Sequence, residues 1–254
     1  MNDFNRSYAA TPGTLDMSKD AGLRSFMLGV YNKLALGIAL SGLIAFAVGT
    51  YEPLTMLVWG TPLAYVVQFG PLALILISAF AMRNPSPMGS AILYWSIVTL
   101  LGASLSMWVV MAQMNTGVTT RAGTTLAIDF LTITKAFLVT ASAFGALSLF
   151  GYTTKMNLKP MAAFMIIALW GLVAVGVISL FFPPSGMLEL GLQVGILLLS
   201  GGLVAWETQQ LKEGYYHFGG DARSMAVMTN WGALNFFILF YNMFTIILSL
   251  MGRD

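Results

Sequence analysis

The chain contains no cysteine and a single histidine, His217. The first absence excludes disulfide scaffolds, thiol catalysis and cysteine-based metal sites, and one histidine cannot build a histidine-rich metal centre. Charge is almost as scarce. Ten acids and twelve bases make up 9% of 254 residues, against about 25% in an ordinary soluble domain. So few charges cannot cover the surface of a water-soluble globule, which argues against a soluble enzyme, a disordered chain and a nucleic-acid binder. The bases are scattered along the chain, so the net charge of +2 points to no polyanionic partner. What fills the chain instead is 57% hydrophobic residues, with 26 glycines and 17 methionines that add no polarity. The composition is that of a multi-span membrane protein.

A membrane helix needs about 20 mainly apolar residues. Reading from charge to charge and trimming at Gly, Pro and Asn clusters predicts seven helices, near 32–50, 63–82, 89–112, 132–151, 160–182, 188–211 and 231–251. The fold class is therefore all-α and polytopic, with a seven-helix domain over 32–254. Residues 1–31 carry both signs of charge and are expected to form a polar cytoplasmic tail, not a cleavable signal peptide. The loop at about 113–131 is long and rich in Thr and Gly, and is expected to be an exposed or partly interfacial outer loop. Pro62 and Pro71 flank and enter the second span, which a membrane helix tolerates when neighbours satisfy the freed carbonyls.

Lysine and arginine set an expected orientation. Arg6, Lys19, Arg24, Lys33, Arg83, Lys155, Lys159, Lys212 and Arg223 fall on one side of the predicted spans. Arg121, Arg253 and, at a helix edge, Lys135 fall on the other. The positive-inside rule then predicts a cytoplasmic N-terminus, and seven spans would leave the C-terminus outside. A re-entrant final segment would leave the same sequence trace.

Two kinds of helix face stand out. In the first span Gly37, Ser41, Ala45 and Gly49 recur every four residues, a spacing that lets two backbones approach closely. The expected use is packing inside the bundle, with a homodimer face as the alternative. In the sixth span Gln193, Ser200 and Glu207 share one face, as do Asn235, Asn242 and Ser249 in the seventh. Consecutive spans are antiparallel, so Glu207 and Asn235 should lie at similar depth, in a hydrated seam or a hydrogen-bonded helix pair.

Glu207 is the sharpest single residue. An acid inside a span is costly and usually faces a cavity, pairs with a base or carries protons or ions. Burial disfavours the charged form of a carboxyl, which makes Glu207 a candidate pH sensor. The plainer reading is an interfacial acid capped by Lys212 or simply hydrated. Asp129 and Lys135 are expected to sit at the outer interface, where a long side chain can snorkel. His217 is expected in a solvated loop. No phosphate loop, nucleophile elbow or metal-ligand cluster can be assembled, so neither an enzyme nor a cofactor is expected.

Three stretches resemble the Bax inhibitor-1 family. They are AFLVTASAFGALSLFGYTTKMNL at 136–158, AWETQQLKEGY at 205–215 and GALNFFILFYNMFTIILSLMG at 232–252. LGVYNKLALGIALSGLIA near the N-terminus and PLALILIS in the second span also fit, so the likeness runs along nearly the whole chain, closest to the bacterial branch. The resemblance implies seven helices with the last surrounded by the other six. It also implies a pH-sensitive calcium leak in the bacterial inner membrane, with a pair of acids as sensor. A close acid pair titrates as one coupled unit.

Carried over by position, the first acid is Glu207. The second falls on Leu239, fixed by Gly232-Ala233-Leu234 before it and by Phe240, Asn242 and Phe244 after it. The acid pair is thus incomplete. Ca²⁺ favours several oxygen ligands with carboxylates among them, so a weaker calcium dependence and a one-proton response are expected. The pathway candidates are Glu207, Asn235, Leu239 and Asn242, with Arg83 as candidate latch. The competing expectation is a non-conducting interaction protein that modulates a membrane-bound protease or stress-response partner, with the 1–31 tail as its handle.

Overall fold

Inside a bilayer no water is present to satisfy backbone N–H and C=O groups, so long uncharged runs fold into helices. The computed structural model describes residues 21–81, 84–114, 117–119, 123–179, 181–182, 185–218 and 221–253. Its elements are α1 (Ala21–Thr50), α2 (Glu52–Trp59), α3 (Leu63–Ala81), α4 (Pro87–Met114), β1 (Val118–Thr119), β2 (Thr125–Leu126), α5 (Phe130–Thr153), α6 (Lys159–Ile178), α7 (Gly186–Phe218) and α8 (Ala222–Met251). Among the described residues, α1, α3, α4, α5, α7 and α8 are long and apolar enough to cross a membrane, and α6 adds the shorter apolar stretch Lys159–Leu172. The chain is a polytopic all-α membrane protein. Phe80, Phe181 and Met187 are 82%, 76% and 85% exposed, a surface that hydrocarbon solvates and water does not.

Four features differ from the sequence expectation, one of them the start of α8, at Ala222 and not near 231. Helix α1 begins at Ala21, so residues 21–31, expected in the polar tail, form its first three turns. Leu23, Phe26, Met27, Val30 and Leu34 are buried there at helical spacing, a stripe that Arg24 and Lys33 interrupt in sequence but not on the buried face. Helix α7 runs on to Phe218, so His217 is exposed in its last turn and not in a loop. Helix α2 was not anticipated. Glu52 and Pro53 start it with an acid and a proline in the first turn, the pattern that suits a helix N-terminus. Trp59 anchors its end by donating to Ser106 Oγ at 3.0 Å. Arg6, Lys19, Arg83 and Arg121 lie outside the described residues.

Helix α8 is the axis. Half of its most apolar stretch is buried, against at most 39% in the other candidate spans. It packs on α1, α4, α5 and α7, while α3 leans on α4 and α6 on α7. The expected arrangement of a last helix enclosed by the others is therefore built as an inner ring of four and two outer helices. Phe236 of α8 stacks on Tyr31 with ring centroids 5.5 Å apart and meets Phe144 edge-on at 5.4 Å.

Because lipid is as apolar as leucine, these helices must hold by close packing and hydrogen bonds. The α1 stripe supplies that packing against α4. A Cβ added at Gly49 would lie 2.7 Å from Val109 Cβ, and one added at Gly102 would lie 2.8 Å from Ser41 Cα. The stripe is used up inside the bundle.

The two ends of the bundle are distinct in charge. Arg24, Lys159, Lys212 and Arg223 gather where α1, α6 and α8 begin and α7 ends, with Lys33 about three turns into α1. Contacts there include Phe26 with Tyr215, Lys33 with Asn230 and Lys159 with Glu213. Arg253 lies at the opposite end beside Glu189.

Candidate functional site

The α7–α8 seam carries the polar residues singled out in the sequence. Asn235 Nδ2 donates to Glu207 Oε1 at 2.8 Å. At the far end of the same two helices, Gln193 Nε2 donates to Ser249 Oγ at 3.1 Å. Both pairs belong to one antiparallel register, which also sets Ser200 level with Asn242 and Leu203 level with Leu239. The matched depth expected of Glu207 and Asn235 is thus a direct hydrogen bond, and the seam is a hydrogen-bonded helix pair at both ends.

Leu239 lies one turn beyond Asn235 and packs against the cluster of Ala162, Met165 and Leu203. The position where the resemblance places a second acid is occupied by a leucine in an apolar setting. Asn242 follows almost a turn later, its carbonyl accepting from Thr245 Oγ1 at 3.1 Å. Lys212 does not cap Glu207. Its Nζ donates to the Tyr152 carbonyl at 2.6 Å and lies 5.2 Å from the centre of that ring. Arg83, the expected latch, lies outside the described residues.

Around Glu207 the segment 205–215 binds a different element at almost every polar position. Thr208 shares a 3.0 Å hydrogen bond with Ser148 of α5, and Ser148 in turn is hydrogen-bonded to Tyr31 of α1. Gln209 clamps the α5–α6 loop, accepting from Leu158 N at 2.9 Å and donating to the Met156 carbonyl at 2.8 Å. Glu213 pairs with Lys159 at 2.7 Å. These contacts were not foreseen. The density of polar residues in a helix end that should be apolar was the available signal, but no spacing rule names the partners. On the neighbouring face Asn230 holds α1 and α4 together, accepting from Lys33 and donating to the Pro87 carbonyl at 2.9 Å and Ser90 Oγ at 2.8 Å.

The opposite end of the seam is closed by the C-terminus. Arg253 Nη2 lies 3.1 Å from Glu189 Oε1 and donates to Gln193 Oε1 at 3.0 Å, with the Arg253 and Glu189 side chains only 15% and 18% exposed. Strand β2 holds this residue in place through a bridge between Leu126 and Arg253 and a 2.7 Å hydrogen bond from Ala127 N to the Gly252 carbonyl. The loop expected to be exposed or partly interfacial contains a short β1–β2 hairpin with Leu126 and Ile128 buried. A two-residue strand is too short to leave a period in the sequence.

Asp129 caps the start of α5 at this end, accepting from Thr132 N at 2.6 Å. Hydrogen bonds from the Thr132 side chain and backbone hold its carboxyl below the usual range. At the start of α8, Asp221 is likewise held low by the Ser224 side chain and by the Ser224 and Arg223 backbone.

The fold and seam define a polytopic membrane protein organised around a central helix, with a carboxylate hydrogen-bonded inside one of its spans. The sequence profile described as "Inhibitor of apoptosis-promoting Bax1" matches residues 23–254, and the chain belongs to that family, the Bax inhibitor-1 family. It is 46% identical to an uncharacterized protein of Caulobacter vibrioides over the whole of this chain and 99% of that one. An uncharacterized protein of Rickettsia prowazekii is 30% identical with the same coverage. The inner membrane protein YbhL of Escherichia coli is 26% identical over 92% of this chain and 93% of its own.

Proposed function

We propose that this protein is a proton-gated cation leak of the bacterial inner membrane, with calcium as the permeant or regulatory ion and Glu207 as the titrating group. The observation that carries this reading is the Glu207 carboxylate, held by Asn235 within an apolar span. A carboxylate kept at that depth with no base facing it among the described residues fits a group that takes and releases a proton. In this reading seven helices cross the membrane, α6 among them. The positively charged end faces the cytoplasm with the N-terminus, and the chain works without cofactor or catalysis. The name of the Escherichia coli relative supports the inner membrane as its place.

The test is calcium flux into proteoliposomes from mildly acid to mildly alkaline pH, comparing the native chain with Glu207→Gln and Leu239→Asp. A native leak whose pH dependence disappears in Glu207→Gln supports a one-acid channel. A silent native chain that conducts only as Leu239→Asp overturns it.

One observation favours a second reading. Leu239 fills the second acid's position and packs against apolar side chains, which suits a non-conducting protein that acts on a membrane protease or stress-response partner. Deleting residues 1–20 separates the two, since a leak survives that deletion and partner control does not.

A further inference from the structure

Helices α1 and α5 both pack on α8 but make little contact with each other. Between them a groove of about 620 Å³ opens sideways at the basic end of the bundle, lined by Arg24, Tyr31, Ile38, Phe144, Gly145 and Phe240 among others. A second, apolar cavity of about 300 Å³ shares Ile38 and Phe240 with it and extends toward the other end. The floor is α8, and Tyr31 and Ser148 join the two walls by a hydrogen bond.

We propose that this groove binds one acidic phospholipid of the adjoining leaflet, with its phosphate at Arg24 and an acyl chain running to Ile38 and Phe240. Three features argue for that occupant. The groove opens sideways on the bundle and beyond Arg24 is mainly apolar, with the paired Tyr31 and Ser148 hydroxyls as a polar exception, so it has the polarity profile of an amphiphile. Arg24 lies about fourteen residues from Ile38, or ~21 Å of helix, close to half of a bilayer that is about 40–45 Å thick with its headgroups. The charge at the mouth is also unopposed among the described residues. Glu207, Glu213 and Asp221 at that end are engaged by Asn235, Lys159 and the start of α8. Basic side chains between membrane helices are the usual receptors for acidic headgroups.

The walls make the test clean. Gly145 lines the groove and a Cβ added there meets nothing within 4 Å, so it is the position from which a larger side chain can be introduced into the groove with no clash at its Cβ. The full-length chain in detergent, titrated with phosphatidylglycerol or phosphatidylethanolamine and read by native mass spectrometry, should retain the acidic lipid preferentially. Arg24→Gln should weaken phosphatidylglycerol binding about fivefold, the effect of one basic residue at a membrane surface. Gly145→Trp should reduce it further at an unchanged melting temperature, and Ala141→Phe serves the same purpose if that variant is unstable. Equal retention of both lipids by the native chain overturns the proposal, as does undiminished binding in Arg24→Gln and the filled groove. A photoreactive residue at 145 that cross-links to residues 1–20 or to a second copy, and not to lipid, overturns it as well.

Discussion

Asn235 and Glu207, 28 positions apart in the chain, meet across α7 and α8 in a 2.8 Å hydrogen bond, in the same antiparallel register that joins Gln193 to Ser249. Asn235 is the only amide donor given to that carboxylate among the described residues. Its replacement by leucine should cost about 1–3 kcal/mol, the penalty for leaving a partly buried polar group without its partner. Glu207→Gln keeps an acceptor for Asn235 and should cost far less. Denaturant titration of the two variants in detergent, with the double variant to complete the cycle, checks both values.

Close approach of α1 and α4 sets a second expectation. Gly102→Leu would drive a side chain into the Ser41 backbone, 2.8 Å from an added Cβ, and should destabilise the bundle by about 1–3 kcal/mol or more. Gly29→Leu, on α1 and with nothing within 4 Å of an added Cβ, should leave the melting temperature nearly unchanged. A melting comparison in one detergent distinguishes the two.

At the far end of the seam, Arg253 joins the C-terminus to Glu189 and Gln193. Arg253→Met should cost about 1–3 kcal/mol, because Glu189 and Gln193 lose a charged donor in a largely covered site. Hydrogen exchange should accelerate at Ala127, whose N–H bonds the Gly252 carbonyl. Unchanged protection there would show that the hairpin holds itself without the terminal arginine.

The Asp129 cap carries a pH dependence with a definite sign. Its carboxyl is held below the usual range by the Thr132 side chain and backbone. The cap therefore contributes stability above the unfolded value near pH 3.9, and that contribution is lost as pH falls through the lower folded value. Asp129→Ala should be less stable than the native chain at neutral pH. The gap should close as the medium is acidified below about pH 4, as followed by thermal melts across that range.

Much of this architecture was legible before any coordinates. The scarcity of charge established the membrane class, and the seven-residue spacing of Gln193, Ser200 and Glu207 against Asn235, Asn242 and Ser249 placed the seam and its depth. The small-residue stripe from Gly37 to Gly49 announced a tight interface. The start of α1 was missed because Arg24 and Lys33 lie between residues that are buried on one face. Helix α2 and the β1–β2 hairpin were missed because each is shorter than the window in which a period can be read.

The sequence by itself determined what is local and repetitive: helices and their polar and small-residue faces. Only the tertiary structure decided which four helices line the central one and which face meets which. It chose α4 as the partner of the glycine stripe, turned Lys212 to the Tyr152 carbonyl and not to Glu207, and brought Arg253 back against Glu189. The physical reason is that helical periodicity is written in neighbours three and four residues apart. Partner choice inside a bilayer depends instead on shape and on hydrogen bonds between residues distant in the chain, for which a uniform apolar solvent supplies no directional signal.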